Sequence, residues 1–283
     1  MTFLGGHDDY GMNLTCSLIL STVKYPWDID NKPDGKRKVG LFTMDKKNYD
    51  YSCEKVGWNS GDKFPFALIM EAADDISYSM SDLEDGLEKG IISVGDIRDA
   101  FGEEQVPVEN SSKISPFIDF KTRVIRDVVN EASNIFVESI DDMLAGQNVN
   151  LVDSNNPSGA LVEEVKKFAR EKIYSDAAAE KVELAGRSVI SGLLHHFGTL
   201  LDLTEEQFLF LVNEDMENLK GLGLDFEIRL MRRLPKSYRE RYLSQKRGDE
   251  MLRRTHLIVD FIAGMTDDFA LEMYQVLEGI RIK

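Results

Sequence analysis

The sequence predicts an all-α protein, and three observations lead to that prediction. Apolar residues recur every three to four positions along nearly the whole chain, which is the spacing of an amphipathic helix. A convincing alternation of apolar and polar residues, which would indicate strands, is absent from the sequence. Residues that cap or stop helices separate the periodic segments. With 283 residues, 42% of them hydrophobic, the chain can bury a substantial core.

Cap and stop residues predict five helices in the first half of the chain. The first begins at Asn13 or Thr15 and stops before Pro26, and Ser93 caps a short fourth helix. Ser115 and the following proline open a very long fifth helix, after a loop at 103–112. The predicted ranges are 13 or 15 to 25, 45–57, 65–89, 93–101 and 115–145.

The most turn-like segment, NVNLVDSNNPSG, occupies residues 148–159. It either separates two helical layers or is a surface excursion, and we place a boundary there, between regions 1–147 and 148–283. Further helices are predicted at 160–173, 177–201, 204–220, 226–244, 249–263 and 267–280.

Composition restricts the compartment and the partners. No apolar run approaches membrane-spanning length, and residues 1–13 do not have the pattern of a secretion signal. The two cysteines, Cys16 and Cys53, do not suggest a disulfide framework, so we expect a cytoplasmic protein with no membrane partner. The net charge of −16 counts against a dedicated nucleic-acid binder, although an oligomer could still present a local basic groove.

The segment 64–90, FPFALIMEAADDISYSMSDLEDGLEKG, is the most informative part of the chain. At about 100° per residue, one narrow stripe carries Glu71, Asp74, Tyr78, Asp82 and Asp85. The opposite face carries Leu68, Ala72, Ile76, Met80, Leu83 and Leu87. Spacing alone favours a solvated acidic face. The alternative is a site in which one carboxylate binds a divalent metal and another accepts a hydrogen bond from a sugar hydroxyl.

The string MEAADDISYSMSDLEDGLEKGI within that segment resembles a signature of bacterial deoxyguanosine triphosphate triphosphohydrolases, which belong to the His-Asp (HD) phosphohydrolase superfamily. Three further strings agree with that family in the same order: GMNLT…LILSTVKYPW at 11–27, VELAGRSVISGLL at 182–194 and DFIAGMTDDFALEMY at 260–274. The resemblance spans nearly the whole chain and matches the C-terminal half of the family. It implies an HD-domain-like helical bundle and overrides the solvated-face interpretation.

Carried over by position, the resemblance implies a role for each polar residue of the stripe. Asp74 would be the last protein ligand of the catalytic metal. Tyr78 would pack against the deoxyribose where a 2′-hydroxyl would sit, and Asp82 would accept a hydrogen bond from the 3′-hydroxyl. Lys24 and Tyr25, in the string VKYP, would lie at the triphosphate side.

Lys121 or Arg123, in FKTR, is a further phosphate candidate under the same resemblance. Asp75 points about 100° away from Asp74, which indicates a supporting role.

The implied reaction is hydrolysis of dGTP, or of another dNTP, to the deoxynucleoside and tripolyphosphate. A divalent metal, Mg²⁺ or Mn²⁺, would activate water and neutralise charge at the nucleoside-proximal phosphate. The family's assemblies imply a homo-oligomer, with a hexamer as one form.

The sequence departs from the family in its histidines. An HD site needs an upstream His and a consecutive His-Asp pair in addition to the distant Asp, and only Asp74 has a counterpart here. We interpret His7 and Asp8 as a coincidental dipeptide. His195 and His196 are adjacent and cannot chelate one ion as an i, i+4 pair would. His256 is more typical of a core residue.

We therefore expect the chain to be catalytically incomplete without an upstream half. Three explanations fit that expectation: a fragment, a separate N-terminal chain, or a degenerate paralogue. The alternative function is a non-catalytic nucleotide-binding or scaffold module. The basic stretch 229–254 is either a solvated helix face or a surface that contacts a subunit or a nucleotide.

Overall fold

The computed structural model describes residues 13–106, 115–244 and 249–280, which form fourteen α-helices, one 3₁₀ turn and no β-strand. The all-α prediction is confirmed. Among the described helices, none is long and apolar enough to cross a membrane.

The chain divides into two compact units, and the first comprises Asn13–Glu180. The turn-like segment lies inside this unit, where Leu151 and Val152 are buried. The helices of the first unit are α1 (Cys16–Ser21), α2 (Thr43–Val56), α3 (Pro65–Glu88), α4 (Val94–Phe101), α5 (Pro116–Glu138), α6 (Ile140–Leu144) and α7 (Pro157–Lys172).

The second unit begins at Lys181, within α8 (Ala177–Gly198). A 3₁₀ turn at Thr199–Asp202 follows α8 directly. The remaining helices are α9 (Glu205–Val212), α10 (Met216–Leu219), α11 (Asp225–Met231), α12 (Lys236–Ser244), α13 (Glu250–Ala263) and α14 (Asp267–Leu277).

Local sequence signals account for most of the helix ends. Ser93 and Asp96 form a reciprocal capping box at the start of α4. Helix α2 ends at Gly57, whose φ of 74° is the left-handed conformation that suits glycine. Helix α3 begins with Pro65. A proline is tolerated there because the N–H groups of the first turn have no acceptor within the helix. The helix ends just before Gly90.

Four predicted helices are shorter or interrupted. The first ends at Ser21, well before Pro26. The predicted helix 204–220 breaks into α9 and α10 where Glu214 takes a left-handed φ of 55°. The predicted helix 226–244 breaks into α11 and α12 at Pro235, because proline lacks the N–H that would continue the ladder. The predicted helix 115–145 is interrupted at Ser139.

Each unit has its own apolar core. In the first unit, α3, α5 and α7 pack together around fully buried residues such as Met80, Phe120 and Val165. A smaller cluster, which includes Leu20 and Tyr49, lies where α1 packs on α2 and α3. The core of the second unit forms around Phe197, Phe208 and other buried residues of α8, α9, α11 and α13. The two clusters of the first unit hold the helices that carry the candidate site.

Candidate functional site

Helix α3 has the two faces that the sequence predicts. Every residue assigned to the apolar face is buried or partly buried in the core of the first unit. On the polar stripe, Tyr78 and Asp85 are exposed, while Glu71, Asp74 and Asp82 are half-buried. Burial of one face fixes the rotation of the helix, so the stripe faces away from the core.

Asp74 lies beside a lysine from another element. Lys24 Nζ is 3.8 Å from Asp74 Oδ2 and 3.4 Å from Glu71 Oε1. Lys63 Nζ donates to the other carboxylate oxygen of Glu71 at 2.5 Å. Two carboxylates on one turn of α3 thus share two ammonium groups. The side chain of Asp74 is 42% exposed, so a ligand from solvent can reach its carboxylate.

Lys24 is held in its charged form by this arrangement. Partial burial, the largest influence, acts to lower its pKa. The charge of Glu71, followed by those of Tyr25 and Asp75, acts in the opposite direction, and the net result is a raised pKa. Lys24 is therefore a permanent cation beside Asp74 near neutral pH.

The position of Lys24 follows from the end of α1. The helix stops at Ser21 with Thr22 as its C-cap, and the restriction of the residue before Pro26 to extended backbone keeps the following segment from becoming helical again. Because α1 packs against α3, the segment that follows α1 runs alongside Asp74. The Tyr25 ring contacts the Trp27 ring, with centroids 5.9 Å apart, and Lys38 Nζ lies 5.9 Å from the Tyr25 centroid.

Tyr78 and Asp82 continue the stripe in successive turns. At a rise of 1.5 Å per residue, Tyr78 is about 6 Å and Asp82 about 12 Å along the axis from Asp74. Tyr78 is 64% exposed. Asp82 accepts a hydrogen bond from the hydroxyl of Tyr174, which follows α7. Burial, and then the bond to Asp82, raises the pKa of Tyr174 to about 12.

Tyr174 is therefore part of the candidate site, although the sequence did not point to it. Its hydroxyl remains protonated at neutral pH and leaves Asp82 with acceptor capacity for a second partner. No local pattern links two residues that are 92 positions apart.

Asp75 forms an ion pair with a lysine on another helix. Its Oδ2 is 3.1 Å from Lys166 Nζ on α7, and Lys166 also donates to Glu163 at 2.9 Å. The ion pair ties α3 to α7, whereas the neighbouring Asp74 pairs with Lys24.

The two cations of FKTR are engaged in contacts within the protein. Lys121 Nζ lies 2.5 Å from Glu84, on α3. Arg123 pairs with Asp119 at 3.3 Å and donates to the backbone oxygen of Gln105. These contacts hold both side chains against neighbouring residues of the first unit.

Asp74 is the residue at which the sequence predicts a metal ligand. The Asp74 carboxylate is a hard oxygen donor of the kind that Mg²⁺ prefers. Within residues 13–106, 115–244 and 249–280, no group of three or more His, Cys, Asp or Glu side chains could hold a metal. The described residues therefore fit one ligand position and do not form a complete metal site.

The described histidines do not add to that ligand. His196 Nε2 lies 3.1 Å from Glu278 Oε1, and the rings of His195 and His196 are 5.6 Å apart at 61° to each other. His256 is buried in α13. His7 and Asp8 lie outside the described residues.

The basic stretch 229–254 contains a buried residue that neither interpretation anticipated. Arg254 is 1% exposed, and its guanidinium donates to both carboxylate oxygens of Glu250, at 3.0 and 2.6 Å. It also donates to the Leu203 backbone oxygen at 2.6 Å and lies 4.3 Å from the centroid of the Phe208 ring. This part of the stretch is a structural element of the core.

Known proteins are similar to this chain over nearly its whole length. Residues 225–276, which include α11 to α13 and most of α14, match a family model described as a phosphohydrolase-associated domain. A deoxyguanosinetriphosphate triphosphohydrolase of Cronobacter sakazakii is 30% identical over an alignment that covers 95% of this chain and 60% of that protein.

Two further relatives agree. A probable deoxyguanosinetriphosphate triphosphohydrolase of Pseudomonas aeruginosa is 27% identical over 95% of this chain and 63% of its own length. A deoxyguanosinetriphosphate triphosphohydrolase-like protein of Listeria monocytogenes is 26% identical over 96% and 62%. The chain thus spans about three fifths of the length of these curated relatives. The resemblance predicted from the four sequence strings is confirmed.

Proposed function

We propose that this chain is the C-terminal part of a metal-dependent dNTP triphosphohydrolase of the HD superfamily, which hydrolyses dGTP or another dNTP to the deoxynucleoside and tripolyphosphate. One observation carries the proposal: a single stripe of α3 presents Asp74, Tyr78 and Asp82, with Lys24 Nζ 3.8 Å from the Asp74 carboxylate. The names of the relatives supply the substrate class.

In this proposal each residue of the stripe acts on a different part of the substrate. Asp74 is a ligand of the metal, which when bound supplies water activation and charge neutralisation at the nucleoside-proximal phosphate. Lys24 and Tyr25 lie at the triphosphate side, and the ammonium of Lys24 offsets phosphate charge. Tyr78 packs on the deoxyribose and disfavours a 2′-hydroxyl. Asp82, with one oxygen bonded to Tyr174, accepts from the 3′-hydroxyl.

We infer that the other metal ligands, a His and a His-Asp pair, come from outside the described residues, either from the same polypeptide or from a separate one. The metal is Mg²⁺ or Mn²⁺, and the working form is a cytoplasmic homo-oligomer. Regions 1–147 and 148–283 correspond to the end of the catalytic helical region and to the family's C-terminal helical region. The free thiols of Cys16 and Cys53 suit a reducing compartment.

The test is release of tripolyphosphate from dGTP by the purified chain with Mg²⁺ or Mn²⁺. The assay is run with the chain alone and together with a separately expressed polypeptide that carries the His and His-Asp ligands. The key variant is Asp74→Asn, which keeps the shape of the side chain and removes its charge. Asp75→Asn is the matched control, because the Asp75 carboxylate forms its ion pair with Lys166, whereas the Asp74 carboxylate lies against Lys24.

We expect tripolyphosphate release in the combined assay. Asp74→Asn should lower the rate of release by at least about a hundredfold, as is common when a group that acts in the transition state is removed. Asp75→Asn should lower that rate much less. Release by the chain alone would show that it forms a complete site without a second polypeptide. Binding of dGTP without turnover in every combination would favour the alternative, a non-catalytic nucleotide-binding module. The lack of a three-ligand group among the described residues is the observation that favours that alternative.

A further inference from the structure

Glu71 lies one turn of α3 before Asp74 and is held between two lysines from outside that helix. Lys24 Nζ is 3.4 Å from Glu71 Oε1, and Lys63 Nζ donates to Glu71 Oε2 at 2.5 Å. Lys24 follows α1, whereas Lys63 lies just before the first residue of α3. The two oxygens of one carboxylate thus engage two separate parts of the chain, and these contacts fix the direction of the Glu71 side chain.

The burial of these side chains distinguishes the contact from an ordinary surface ion pair. The exposed fraction is 29% for the Glu71 side chain, 27% for Lys24 and 13% for Lys63. Ion pairs on an open surface are screened by water and salt, and they restrict their side chains little. Partial burial reduces that screening, so the Glu71 carboxylate can hold the Lys24 ammonium in one place.

Lys24 has a second carboxylate within reach, that of Asp74. Residues three apart on a helix are neighbours on its surface, so Glu71 and Asp74 can face the same ammonium. Lys24 Nζ is 3.8 Å from Asp74 Oδ2, which is an ion-pair distance but too long for a hydrogen bond. The ammonium therefore lies closer to Glu71. Because a lysine side chain is flexible, removal of the Glu71 charge would let the ammonium move onto the Asp74 carboxylate.

We propose that Glu71 is a positioning residue for Lys24. It keeps the ammonium beside Asp74 but beyond hydrogen-bond distance, so the Asp74 carboxylate stays open to a ligand while the cation remains next to it. Lys63, which donates to the other oxygen of Glu71, keeps the Glu71 carboxylate from turning away. This inference rests on the proposed function, in which Lys24 acts at the triphosphate side, and it adds a residue that acts through Lys24 rather than on the substrate.

The first experiment compares crystal structures of the wild-type chain, Glu71→Gln and the control Glu84→Gln. Glu84 also lies on α3 and pairs with a lysine of another helix, Lys121, so the control removes the same charge from the same kind of contact. In Glu71→Gln, we expect the distance between Lys24 Nζ and Asp74 Oδ2 to fall to hydrogen-bond length, about 3 Å. The control should leave this distance unchanged. An unchanged distance in Glu71→Gln would overturn the proposal.

The second experiment is a double-mutant cycle in the combined hydrolysis assay, with Glu71→Gln, Lys24→Gln and the double variant. A residue that acts through Lys24 has no further effect once Lys24 is replaced, whereas general damage to α3 would add to the loss. We expect Glu71→Gln to lower kcat/KM for dGTP by about tenfold, the size of one charge-assisted hydrogen bond. In the Lys24→Gln background, the same substitution should lower it by less than about twofold.

The two experiments separate failure of this inference from failure of the proposed function. Equal losses from Glu71→Gln in the presence and absence of Lys24 would show that Glu71 acts independently, and the positioning role would be wrong. If no combination of chains releases tripolyphosphate, the proposed function fails. The crystal structures involve no turnover, so in that case they still decide whether Glu71 positions the Lys24 ammonium.

Discussion

The hydroxyl of Tyr174 donates a hydrogen bond to Oδ2 of Asp82, and a close packing of Ile173 on α3 lies next to that contact. Gly86 lies one turn after Asp82 on α3, and a Cβ at that position would come within 2.8 Å of the Ile173 side chain. Ile173 is buried against α3, and the next residue along the chain is Tyr174. The packing of one apolar side chain thus places a phenol on the carboxylate that we assign to the 3′-hydroxyl.

Substitution Tyr174→Phe should weaken the recognition of the 3′-hydroxyl. Without the phenol, the Asp82 carboxylate loses the partner that orients it, and its acceptor oxygen is less well placed. Tyr174 is 48% exposed, so we expect a moderate loss of about 1 kcal/mol, or a roughly fivefold higher Kd for dGTP. The measurement is the Kd of dGTP and of its 2′,3′-dideoxy analogue in wild type and variant.

The dideoxy analogue distinguishes an effect on the 3′-hydroxyl from general damage. It lacks the group that Asp82 would bind, so its affinity should be nearly unchanged in Tyr174→Phe. Tyr51→Phe, an exposed tyrosine on α2, is the control for loss of a phenol as such. Equal weakening of both nucleotides would argue against a link between Tyr174 and the 3′-hydroxyl.

The sequence predicted α3 almost to the residue, 65–89 against Pro65–Glu88 in the structure. Local signals were sufficient to predict the bounds of this helix. The segment combines strong helical periodicity with a proline at its start and a glycine after its end. The prediction of one helix at 226–244 was wrong. The apolar periodicity continues through Pro235, but proline lacks the N–H that a continuous helix would need there.

The chemistry of the candidate site was only partly accessible from the sequence. The stripe follows from a period of 3.6 residues, but the contacts of Lys24 with Asp74 and of Tyr174 with Asp82 depend on how distant segments pack. The same holds for Arg254, which reads as one more charge in a basic stretch and is in fact buried. Tertiary contacts of this kind leave no periodic signal.

Alkaline pH should destabilise the protein from about pH 10 upward. Burial, and then its bond to Asp82, raises the pKa of Tyr174 to about 12 from its ordinary value of 10.0. Burial, followed by the hydrogen bond to Glu250, also raises the pKa of Tyr242. A raised folded-state pKa gives stability that is complete below the unfolded value and is lost as pH rises through the folded value.

The measurement is the midpoint of urea unfolding at intervals from pH 8 to pH 11.5. The midpoint should be constant to about pH 9.5 and then fall, and Tyr242→Phe should make the fall less steep, because one of the responsible groups is gone. An unfolding midpoint that stays level up to pH 11.5 would contradict the prediction.

Substitution Gly40→Ala should disturb the loop that carries Lys36, Arg37 and Lys38. Its Cβ would meet the Tyr25 backbone oxygen at 2.2 Å, and backbone cannot yield as a flexible side chain can. We expect a loss of about 1–3 kcal/mol in the free energy of unfolding. Gly198→Ala is the control, since a Cβ there meets nothing within 4 Å. Equal stability of the two variants would show that the arm can shift without cost.

Substitution Arg254→Met should be the most destabilising of the changes considered. The guanidinium is 1% exposed, pairs with Glu250 and donates to the Leu203 backbone oxygen. Burial acts to raise the pKa of Glu250, but the bonds from Arg254 and Tyr242 outweigh it, and the pKa is lowered. Removal of Arg254 leaves a partly buried carboxylate without its counter-charge, for which we expect a loss of about 3–5 kcal/mol in the free energy of unfolding.

Two comparisons test the origin of that loss. Arg254→Lys keeps the positive charge but lacks the planar guanidinium group, whose N–H donors reach Glu250 and the backbone carbonyls together. It should therefore recover only part of the stability that Arg254→Met loses. Arg233→Gln removes an exposed arginine from the same basic stretch and should cost less than about 0.5 kcal/mol. If urea denaturation gave Arg254→Met the stability of Arg233→Gln, the buried network would contribute nothing. The stretch 229–254 would then act as a solvated face despite the burial of Arg254.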